Sequence, residues 1–372
     1  MSPEEKNIKP TIPLKLLVDK KKTRVLAAEA TSDFVNVLLS FLTLPLGTVV
    51  RVTKNHPGSI GCMNNLYQSI EQLSADNFCT KACQSILLSP RNPIALVCKN
   101  LKLNIDDTSN GKCFYCSNKY YCSGRKSHYP NTKCTCGGIA DREMSEGSQP
   151  SDPECFVKRR TMCVITDDLQ VLPGNPISLV KVLCNLGFSD VDQVEELSVD
   201  VGLDELLDLN SGVVCVDNLY RTVESLDLEW LAISKNEIIN AGVLKQYKCK
   251  NHPLQFPDAK TISNLLDPRS PTGCDDCFGR FMEGPHLFVV SDNLIVTPLS
   301  SPSSISFLKE LNVPLNDIEE KEETIRETEA LALLKASLTS SALNNCFKSS
   351  GNQKFNKRNK ISKIQNLPRG GT

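Results

Sequence analysis

The chain has 372 residues, which at about 150 residues per domain indicates two domains. Lysine and arginine total 42 and aspartate and glutamate 43, so the net charge of −1 excludes a global field that would draw the chain to nucleic acid or to a membrane surface. Apolar residues at 40% and charged residues at 23% exclude a wholly disordered chain.

The cysteine content bears on the compartment. The 17 cysteines make the chain cysteine-rich, but their share stays below the roughly 8–10% that marks a short disulfide scaffold. The first residues, Met1 to Lys9, are charged and lack the apolar core of a secretory signal. An odd number of cysteines in a chain that is not exported favours reduced thiols and metal ligands over disulfides. We therefore expect a cytoplasmic or nuclear protein.

The predicted elements begin with a β-hairpin, because Leu14–Val18 and Val25–Ala28 are short apolar segments on either side of a charged turn. Residues 34–50 are uncharged and mostly apolar, but they are too few for a spanning helix and are interrupted by proline and glycine. Their apolar residues recur on one helical face, so we expect a buried helix and no membrane association. Further helices are predicted at 63–73 and 78–86.

Two segments in the later part of the chain repeat each other. Cys163–Pro173 and Phe288–Pro298 align without a gap at an offset of 125 residues, and each has an apolar–turn–apolar pattern that predicts a hairpin. Over the 24 aligned positions that begin with these segments, eight residues are identical. A helix is predicted after each hairpin, because a capping residue followed by proline favours a helix start. These start signals are Asn175-Pro176 and Ser301-Pro302. We infer an internal duplication.

Charge is unevenly distributed along the chain. Residues 189–229 hold twelve acidic residues and one basic residue, which is typical of a solvated face. Residues 346–372 hold seven basic residues and no acidic one, with few apolar residues, and this composition predicts a disordered basic tail. The tail is the one segment for which we consider nucleic acid as a partner, although Phe355 is the only aromatic residue for stacking on bases within its basic run at 354–363.

Five stretches of the sequence carry a family resemblance, namely Ile12–Lys20, Asp33–Gly47, Gly61–Tyr67, Thr166–Pro173 and Val199–Leu207. Through them the chain resembles, over roughly residues 12–345, a plant protein family known as domain of unknown function 674. The resemblance implies a duplicated domain, in agreement with the repeated hairpin. It implies no activity, substrate or catalytic residue.

The domain prediction follows from these features. We predict an N-terminal arm at 1–11, a first copy at 12–220, a second copy at 221–345 and the basic tail at 346–372. The second copy is abbreviated, because no equivalent of the helix at 33–47 precedes its cysteine motif. The expected fold class is α+β, with a duplicated hairpin-plus-helix domain, small antiparallel sheets and zinc-knuckle-like loops.

Cysteines cluster before each repeated hairpin, and their spacing predicts two metal sites. The first set is Cys113, Cys116, Cys134 and Cys136, with Cys122 as an alternative ligand, and the second is Cys249, His252, Cys274 and Cys277. Two close pairs separated by about 15–20 residues are typical of a tetrahedral zinc site. Four protein ligands leave no open position, so each site would be structural. The alternative is that these thiols bind no metal and are packed as small apolar groups.

Signatures of catalysis are missing from the sequence, which has no phosphate-binding glycine loop and no metalloprotease or serine-hydrolase motif. Asp167-Asp168 and Asp292-Asn293 lie in the predicted hairpin turns, where Asp and Asn are favoured for local backbone bonding. No cysteine has an activating base that the sequence identifies. The leading hypothesis is a non-enzymatic, zinc-stabilised scaffold or protein-interaction protein. The alternatives are an enzyme with an unrecognised active site and a nucleic-acid binder that uses the tail.

Overall fold

The computed structural model describes the greater part of the chain. The described residues are 9–21, 24–54, 60–106, 112–118, 122, 124–145, 154–159, 162–207, 213–227, 229–239, 264–273, 280–284, 287–300, 305–309, 314, 324–340 and 362–363.

Helices and short strands alternate along these residues. The strands are β1 (Ile12–Asp19), β2 (Arg24–Thr31), β3 (Lys112–Cys116), β4 (Lys126–Ser127), β5 (Thr132–Lys133), β6 (Ile139–Ser145), β7 (Met162–Thr166), β8 (Val171–Pro173), β9 (Val194–Val201), β10 (Phe288–Val290), β11 (Val296–Pro298) and β12 (Ser362–Lys363). The α-helices are α1 (Ser32–Ser40), α2 (Leu46–Thr53), α3 (Met63–Gln72), α4 (Lys81–Leu88), α5 (Ala95–Cys98), α6 (Pro176–Asn185), α7 (Leu203–Leu207), α8 (Val213–Ser225), α9 (Lys235–Ile239), α10 (residues 305–309) and α11 (Glu327–Thr339). Together with the antiparallel pairing of the strands, they confirm the predicted α+β class.

The chain divides into two compact units, and each of them draws on separate stretches of sequence. Unit one consists of Met1–Pro45, Arg91–Gly111 and Gly147–Leu244, and unit two of Leu46–Pro90, Lys112–Glu146 and Lys245–Thr372. These units do not follow the predicted copies at 12–220 and 221–345, whose common boundary falls inside α8. The bounds of the copies and of the arm at 1–11 stay predictions.

Unit one is built on a five-stranded antiparallel sheet with the strand order β8-β7-β2-β1-β9. β1 and β2 form the predicted hairpin, and the backbone N–H of Lys21 donates to Asp19 Oδ1 at 2.8 Å in its turn. β1 also pairs along its whole length with β9, from Ile12 opposite Val201 to Asp19 opposite Val194. β8 and β9 are therefore the two edges of this sheet.

The apolar segment 34–50, predicted as one buried helix, is divided by a 3-10 turn into α1 and α2. α1 is buried over almost its whole length, and Leu38 has no exposed surface. The side-chain oxygen of its buried Asn36 accepts hydrogen bonds from the backbone N–H groups of Phe156 and Val157, both at 2.9 Å, so this buried oxygen is satisfied. Among the described residues no single helix is long and apolar enough to cross a membrane.

α6 begins where the sequence predicts. Asn175 is its N-cap, the side-chain oxygen accepts the backbone N–H of Ser178 at 2.8 Å, and Pro176 is the first helical residue. The helix packs on the sheet through Val182. The matching start signal after the second hairpin, Ser301-Pro302, lies outside the described residues, which resume with α10.

Unit two contains two small antiparallel sheets, with the strand orders β4-β3-β6-β5 and β11-β10-β12. It also holds α2, α3, α4, α10 and α11. Leu66 of α3 and Leu333 of α11 pack against the buried residues Cys62 and Leu294. The second hairpin, formed by β10 and β11, is thereby fixed between helices of its own unit.

The two predicted hairpins have the same pairing at the predicted offset of 125 residues. Val164 lies opposite Leu172 in the first hairpin, and Val289 lies opposite Thr297 in the second. The turns also match, because the hydroxyl of Thr166 donates to Asp168 Oδ1 and that of Ser291 donates to Asn293 Oδ1. The donor and the acceptor thus lie at the same aligned positions in both hairpin turns. The alignment at an offset of 125 residues predicts that the two hairpins are equivalent.

A helix binds the tip of each hairpin through an asparagine side chain. The Asn218 amide of α8 donates to the backbone oxygen of Asp168 at 2.8 Å, and the Asn65 amide of α3 donates to that of Asn293 at 2.8 Å. One turn further along each helix, a side-chain hydroxyl accepts a hydrogen bond from the backbone of the same hairpin. Val171 N donates to Thr222 Oγ1 at 3.2 Å in unit one, and Val296 N donates to Ser69 Oγ at 2.9 Å in unit two.

The sequences of these two helices explain the match. Asn65-Leu-Tyr-Gln-Ser69 in α3 and Asn218-Leu-Tyr-Arg-Thr222 in α8 share the same pattern. The asparagine and the hydroxyl residue are four positions apart, so they lie on one face of the helix. We call this arrangement the helix–hairpin clamp. The earlier helix of the chain clamps the later hairpin, and the later helix clamps the earlier one.

The structure describes only β12 of the predicted basic tail at 346–372. β12 pairs antiparallel with β10, so that Lys363 lies opposite Val289. At the matching place of the first hairpin, Glu29 of β2 lies opposite Val164. A strand therefore lies along the same edge of both hairpins. The predicted disorder of the rest of the tail stays a prediction.

The clamp predicts a specific loss of stability. Asn218→Ala should lower the free energy of unfolding of unit one by about 1–3 kcal/mol, because the hairpin tip loses its amide donor. Trp230 is the only tryptophan of the chain and belongs to unit one, so its fluorescence in urea reports the unfolding of this unit.

Arg221→Ala is the matched control on the same helix. Arg221 forms an exposed ion pair with Asp217 at 2.7 Å, and such pairs contribute about 0–1 kcal/mol. Equal urea midpoints for Asn218→Ala and Arg221→Ala would contradict the role of the clamp.

Candidate metal centre

The candidate site lies at one end of the sheet β4-β3-β6-β5 of unit two. β3 is paired on one side with β4 and on the other with β6, where the register shifts between Tyr115 and Cys116. Cys116 is the last residue of β3, and Cys134 comes directly after β5. Strand pairing therefore brings two cysteines to the same end of the sheet, although they are far apart in sequence.

Four cysteine sulfurs meet at this end of the sheet. The Sγ atoms of Cys116, Cys122, Cys134 and Cys136 all lie within 4.8 Å of one another. The closest contacts are Cys122 to Cys134 at 3.3 Å and Cys116 to Cys136 at 3.6 Å, and none of the four forms a disulfide. A tetrahedral zinc ion with Zn–S bonds of about 2.3 Å separates its sulfurs by about 3.8 Å. The four cysteines can hold a metal ion.

The Cys134-Thr-Cys136 pair forms a tight knuckle. Gly137 N donates to Cys134 O at 2.9 Å, and Cys134 N donates to Gly138 O at 3.0 Å, so the chain reverses around the pair. Gly137 has a φ of +82°, which favours glycine. The backbone N–H of Gly138 donates to Cys136 Sγ at 3.4 Å. Such a donor stabilises negative charge on a sulfur, as a metal ligand requires.

A second segment of unit two, residues 264–273, supports the knuckle. Lys126 N donates to Asn264 O at 2.9 Å, Leu266 N donates to Lys126 O at 2.8 Å, and Leu266 packs on the cysteine cluster. Gly273 lies against the backbone of Cys134, and a Cβ at this position would be 2.5 Å from the carbonyl carbon of Cys134. This glycine is required by the close approach of the two backbones.

A buried arginine fixes that supporting segment. The Arg269 side chain has no exposed surface, and it donates to Asp267 through Nε at 3.0 Å and through Nη2 at 2.8 Å. Its guanidinium also lies over the ring of Phe281, 5.0 Å from the centroid. A bidentate pair of this kind compensates the cost of burying the charge. The segment is therefore held from two sides, by Arg269 and by the pairing with Lys126.

The four sulfurs perturb one another electrostatically. A hydrogen bond from Cys122 lowers the pKa of Cys136 to about 7, and the same contact raises the pKa of Cys122 to about 12. Burial raises the pKa of Cys116. Of Cys116, Cys122 and Cys136, Cys136 is thus the thiol that most readily becomes a thiolate. Metal ligation requires deprotonated thiols, so binding of a cation would release protons from the other members.

The structure brings together three of the four ligands that the sequence predicts for the first site, Cys116, Cys134 and Cys136, and adds the alternative ligand Cys122. Cys113 is not part of this group. Phe114 packs against the cluster, so Cys113 lies on the other face of β3, because side chains alternate along a strand. That alternation is the signal that favours Cys122, since residues 113 and 116 of one strand cannot face the same way.

The predicted second site falls outside the described residues. Cys249, His252, Cys274 and Cys277 all belong to parts of the chain that the structure does not describe. Their ligation stays a prediction.

The knuckle predicts unequal effects of two glycine substitutions. Gly137→Ala and Gly273→Ala both place an alanine at a positive φ, +82° and +75°, which costs about 1–2 kcal/mol. Only Gly273→Ala also drives a methyl group into the Cys134 backbone. We expect the cluster thiols to react faster with an aromatic disulfide reagent in Gly273→Ala than in Gly137→Ala. Equal rates would show that the 264–273 segment does not support the knuckle.

Comparison with known proteins gives a family. No curated protein and no solved structure matches the chain. A family model described as protein of unknown function (DUF674) matches residues 8–213 and, a second time, residues 206–328. The first match contains α3 and the first hairpin, whereas the second contains α8 and the second hairpin. The chain belongs to this family of proteins of unknown function.

Proposed function

We propose that this protein is a non-enzymatic scaffold or protein-interaction protein in which zinc stabilises the small sheet of unit two. The observation that carries the proposal is the closure of the four-cysteine cluster. A structural zinc ion has four protein ligands, whereas a catalytic zinc ion keeps one position for water or substrate. Four sulfurs within 4.8 Å of one another would fill the whole shell of such an ion with protein atoms.

The donor set supports zinc as the metal. Thiolates are soft ligands, and a tetrahedral set of four selects zinc or iron among the common metals. Cys116, Cys122 and Cys134 are buried and Cys136 is half-buried, so a bound ion would be shielded from solvent. In this proposal the protein resides in a reducing compartment, the cytosol or the nucleus, where the thiols stay available.

The composition around the cluster explains why a metal is needed there. The cluster core consists of Cys116, Cys122, Cys134, Ala140 and Leu266, so sulfur atoms take the place of large aliphatic side chains. Such a core buries little apolar surface, whereas zinc binding in finger peptides contributes about 10–16 kcal/mol at neutral pH. The metal would therefore supply most of the stability of this sheet.

The interaction part of the proposal is supported by the acidic surface of unit one. Asp190, Glu195 and Asp200 are exposed, and two of them lie on the edge strand β9, whereas Glu196 pairs with Lys15 at 2.7 Å. A concentrated charge of one sign steers association with a partner of the opposite sign. The partner class that fits this surface is a basic protein.

The zinc proposal is tested by metal content. The 372-residue chain, purified under reducing conditions without added chelator, should contain zinc, and Cys122→Ser should contain one ion less because the four-sulfur shell is broken. Elemental analysis measures zinc and iron in the same sample. Cys122→Ser should also unfold its small sheet at a lower temperature, as followed by hydrogen exchange of β3 and β6.

Cys184→Ser is the matched control, because Cys184 is an exposed free cysteine of α6 in unit one. It should keep the zinc content of the unsubstituted chain. A Cys122→Ser protein with unchanged metal content would refute the four-cysteine site.

A further inference from the structure

The four sulfurs of the cluster form two close pairs. The Sγ of Cys122 lies 3.3 Å from that of Cys134, and we call these two residues the inner pair. The Sγ of Cys116 lies 3.6 Å from that of Cys136, and we call these two the outer pair. A disulfide joins its sulfurs at about 2.05 Å, so each sulfur has to move by less than about 1 Å for both pairs to close.

Both pairs join parts of the chain that are distant in sequence. The members of the inner pair are 12 positions apart, and those of the outer pair are 20 positions apart. Cys116 ends β3, whereas Cys136 lies in the knuckle after β5, so a bond between them would link two elements of the small sheet. A bond between Cys134 and Cys136 would instead lie inside a knuckle whose backbone is already fixed by its own hydrogen bonds. The geometry therefore favours the inner and outer pairs.

A glycine lies beside the outer pair. A Cβ at Gly138 would be 3.1 Å from Cys116 Sγ and 3.3 Å from Cys136 Sγ, so any side chain at this position would press on both sulfurs. The φ of Gly138 does not lie in the left-handed region, so its backbone conformation does not require glycine. Cys136 is also half-buried, whereas the other three cluster cysteines are buried. Oxidation of cysteine follows exposure, so a small oxidant reaches the outer pair first.

We propose that the four cysteines are an oxidation site for a peroxide, at which the disulfides Cys116–Cys136 and Cys122–Cys134 form in exchange for the metal ion. The inference deepens the proposed function and rests on it for the identity of the ion. Thiolates are the ligands of zinc, and the sulfurs of a disulfide carry no such charge. Oxidation would therefore empty the site. A dithiol would restore the four thiols by exchange and would itself become a disulfide.

The chemistry balances with hydrogen peroxide as the oxidant. The Cys136 thiolate attacks one oxygen, the O–O bond breaks, and a sulfenic acid and a hydroxide ion form. The Cys116 thiolate then attacks the sulfur of the sulfenic acid, so that the S–S bond forms and the S–O bond breaks with loss of a second hydroxide ion. One peroxide thus takes up two electrons from two thiolates. A second peroxide oxidises the inner pair in the same way.

Disulfide mapping of the zinc-loaded 372-residue chain tests the inference without any substitution. The chain is treated with hydrogen peroxide, its remaining thiols are alkylated, and its unreduced peptides are analysed by mass spectrometry, while a chromogenic chelator follows zinc release. We expect the Cys116–Cys136 link to appear first and the Cys122–Cys134 link second. Zinc should be released as the links form and should bind again after treatment with dithiothreitol. A link between Cys134 and Cys136, or oxidation of the cluster to sulfinic acids without disulfides, would overturn the inference.

The outcomes separate this inference from the proposed function. A purified chain that contains no zinc but still forms the two expected disulfides would refute the zinc site and uphold the cysteine pairing. A chain that keeps both its zinc and four reduced cluster cysteines under peroxide would overturn the oxidation site and leave the zinc site standing. Cys184→Ser is the control, because Cys184 is exposed and belongs to unit one, and the links within its cluster should be those of the unsubstituted chain.

Gly138→Ala tests the approach to the outer pair. The added methyl group covers both sulfurs, so the Cys116–Cys136 link should form several-fold more slowly than in the unsubstituted chain. Gly284→Ala is the matched control in unit two, because its Cβ would lie at an ordinary 3.6 Å from Arg280 Nη1, and it should leave the rate unchanged. Equal rates in the two variants would overturn the inference that the outer pair is the point at which the oxidant enters.

Discussion

Both hairpins depend on a leucine held in the left-handed region of backbone space. Leu169 has a φ of +63° and Leu294 a φ of +62°, a conformation that costs a residue with a Cβ about 1–2 kcal/mol. Both side chains are buried, and burying a leucine contributes about 1.5–3 kcal/mol, which offsets the strain. The strain is thus offset where the leucine is buried, and Leu294 is buried against residues of α3 and α11.

The helix–hairpin clamp adds hydrogen bonds to the tips of both hairpins, and in unit two it connects distant stretches of the chain. α8 donates to the tip of the first hairpin and α3 to the tip of the second. Each of the two family matches therefore contains a helix whose hairpin lies in the other match. Neither match by itself includes a complete clamp. In unit two the clamp joins the stretch Leu46–Pro90 to the stretch Lys245–Thr372, whereas in unit one α8 and its hairpin both lie in Gly147–Leu244.

Local features were predictable from the sequence, whereas the partners of the elements were not. Asn175-Pro176 starts α6 because capping is decided by neighbouring residues, and both hairpins follow from alternating apolar residues around Asp and Asn. The pattern Asn-Leu-Tyr-x-Ser/Thr at 65 and 218 could have been found by comparing the two halves. Which hairpin each helix clamps depends on packing between distant parts of the chain, and the local sequence does not predict it.

The metal site shows the same limit at the scale of one strand. The spacing of Cys113 and Cys116 resembles a knuckle, but in β3 an interval of three residues places the two side chains on opposite faces. The spacing of cysteines in the sequence gives only the number of residues between them, whereas metal ligation depends on the direction in which their side chains point. Once β3 is known to be a strand, Cys122 becomes the better fourth partner of Cys116, and Cys113 becomes available to His128 across the sheet.

The two units thus differ in what holds them together. Unit one has an aliphatic core that includes Leu26, Leu38 and Leu39, which are almost fully buried and contribute by removal of apolar surface from water. The small sheet of unit two has sulfur atoms at its centre, and its supporting segment is fixed by the buried Arg269–Asp267 pair. Aliphatic burial is insensitive to chelators and oxidants, whereas a thiolate–metal core is lost with its ion. Under the proposed function, the stability of the small sheet of unit two would therefore depend on the metal supply and on the redox state of its thiols. Among the described residues, the aliphatic core and the acidic surface of unit one contain no thiolate–metal bond that could be lost.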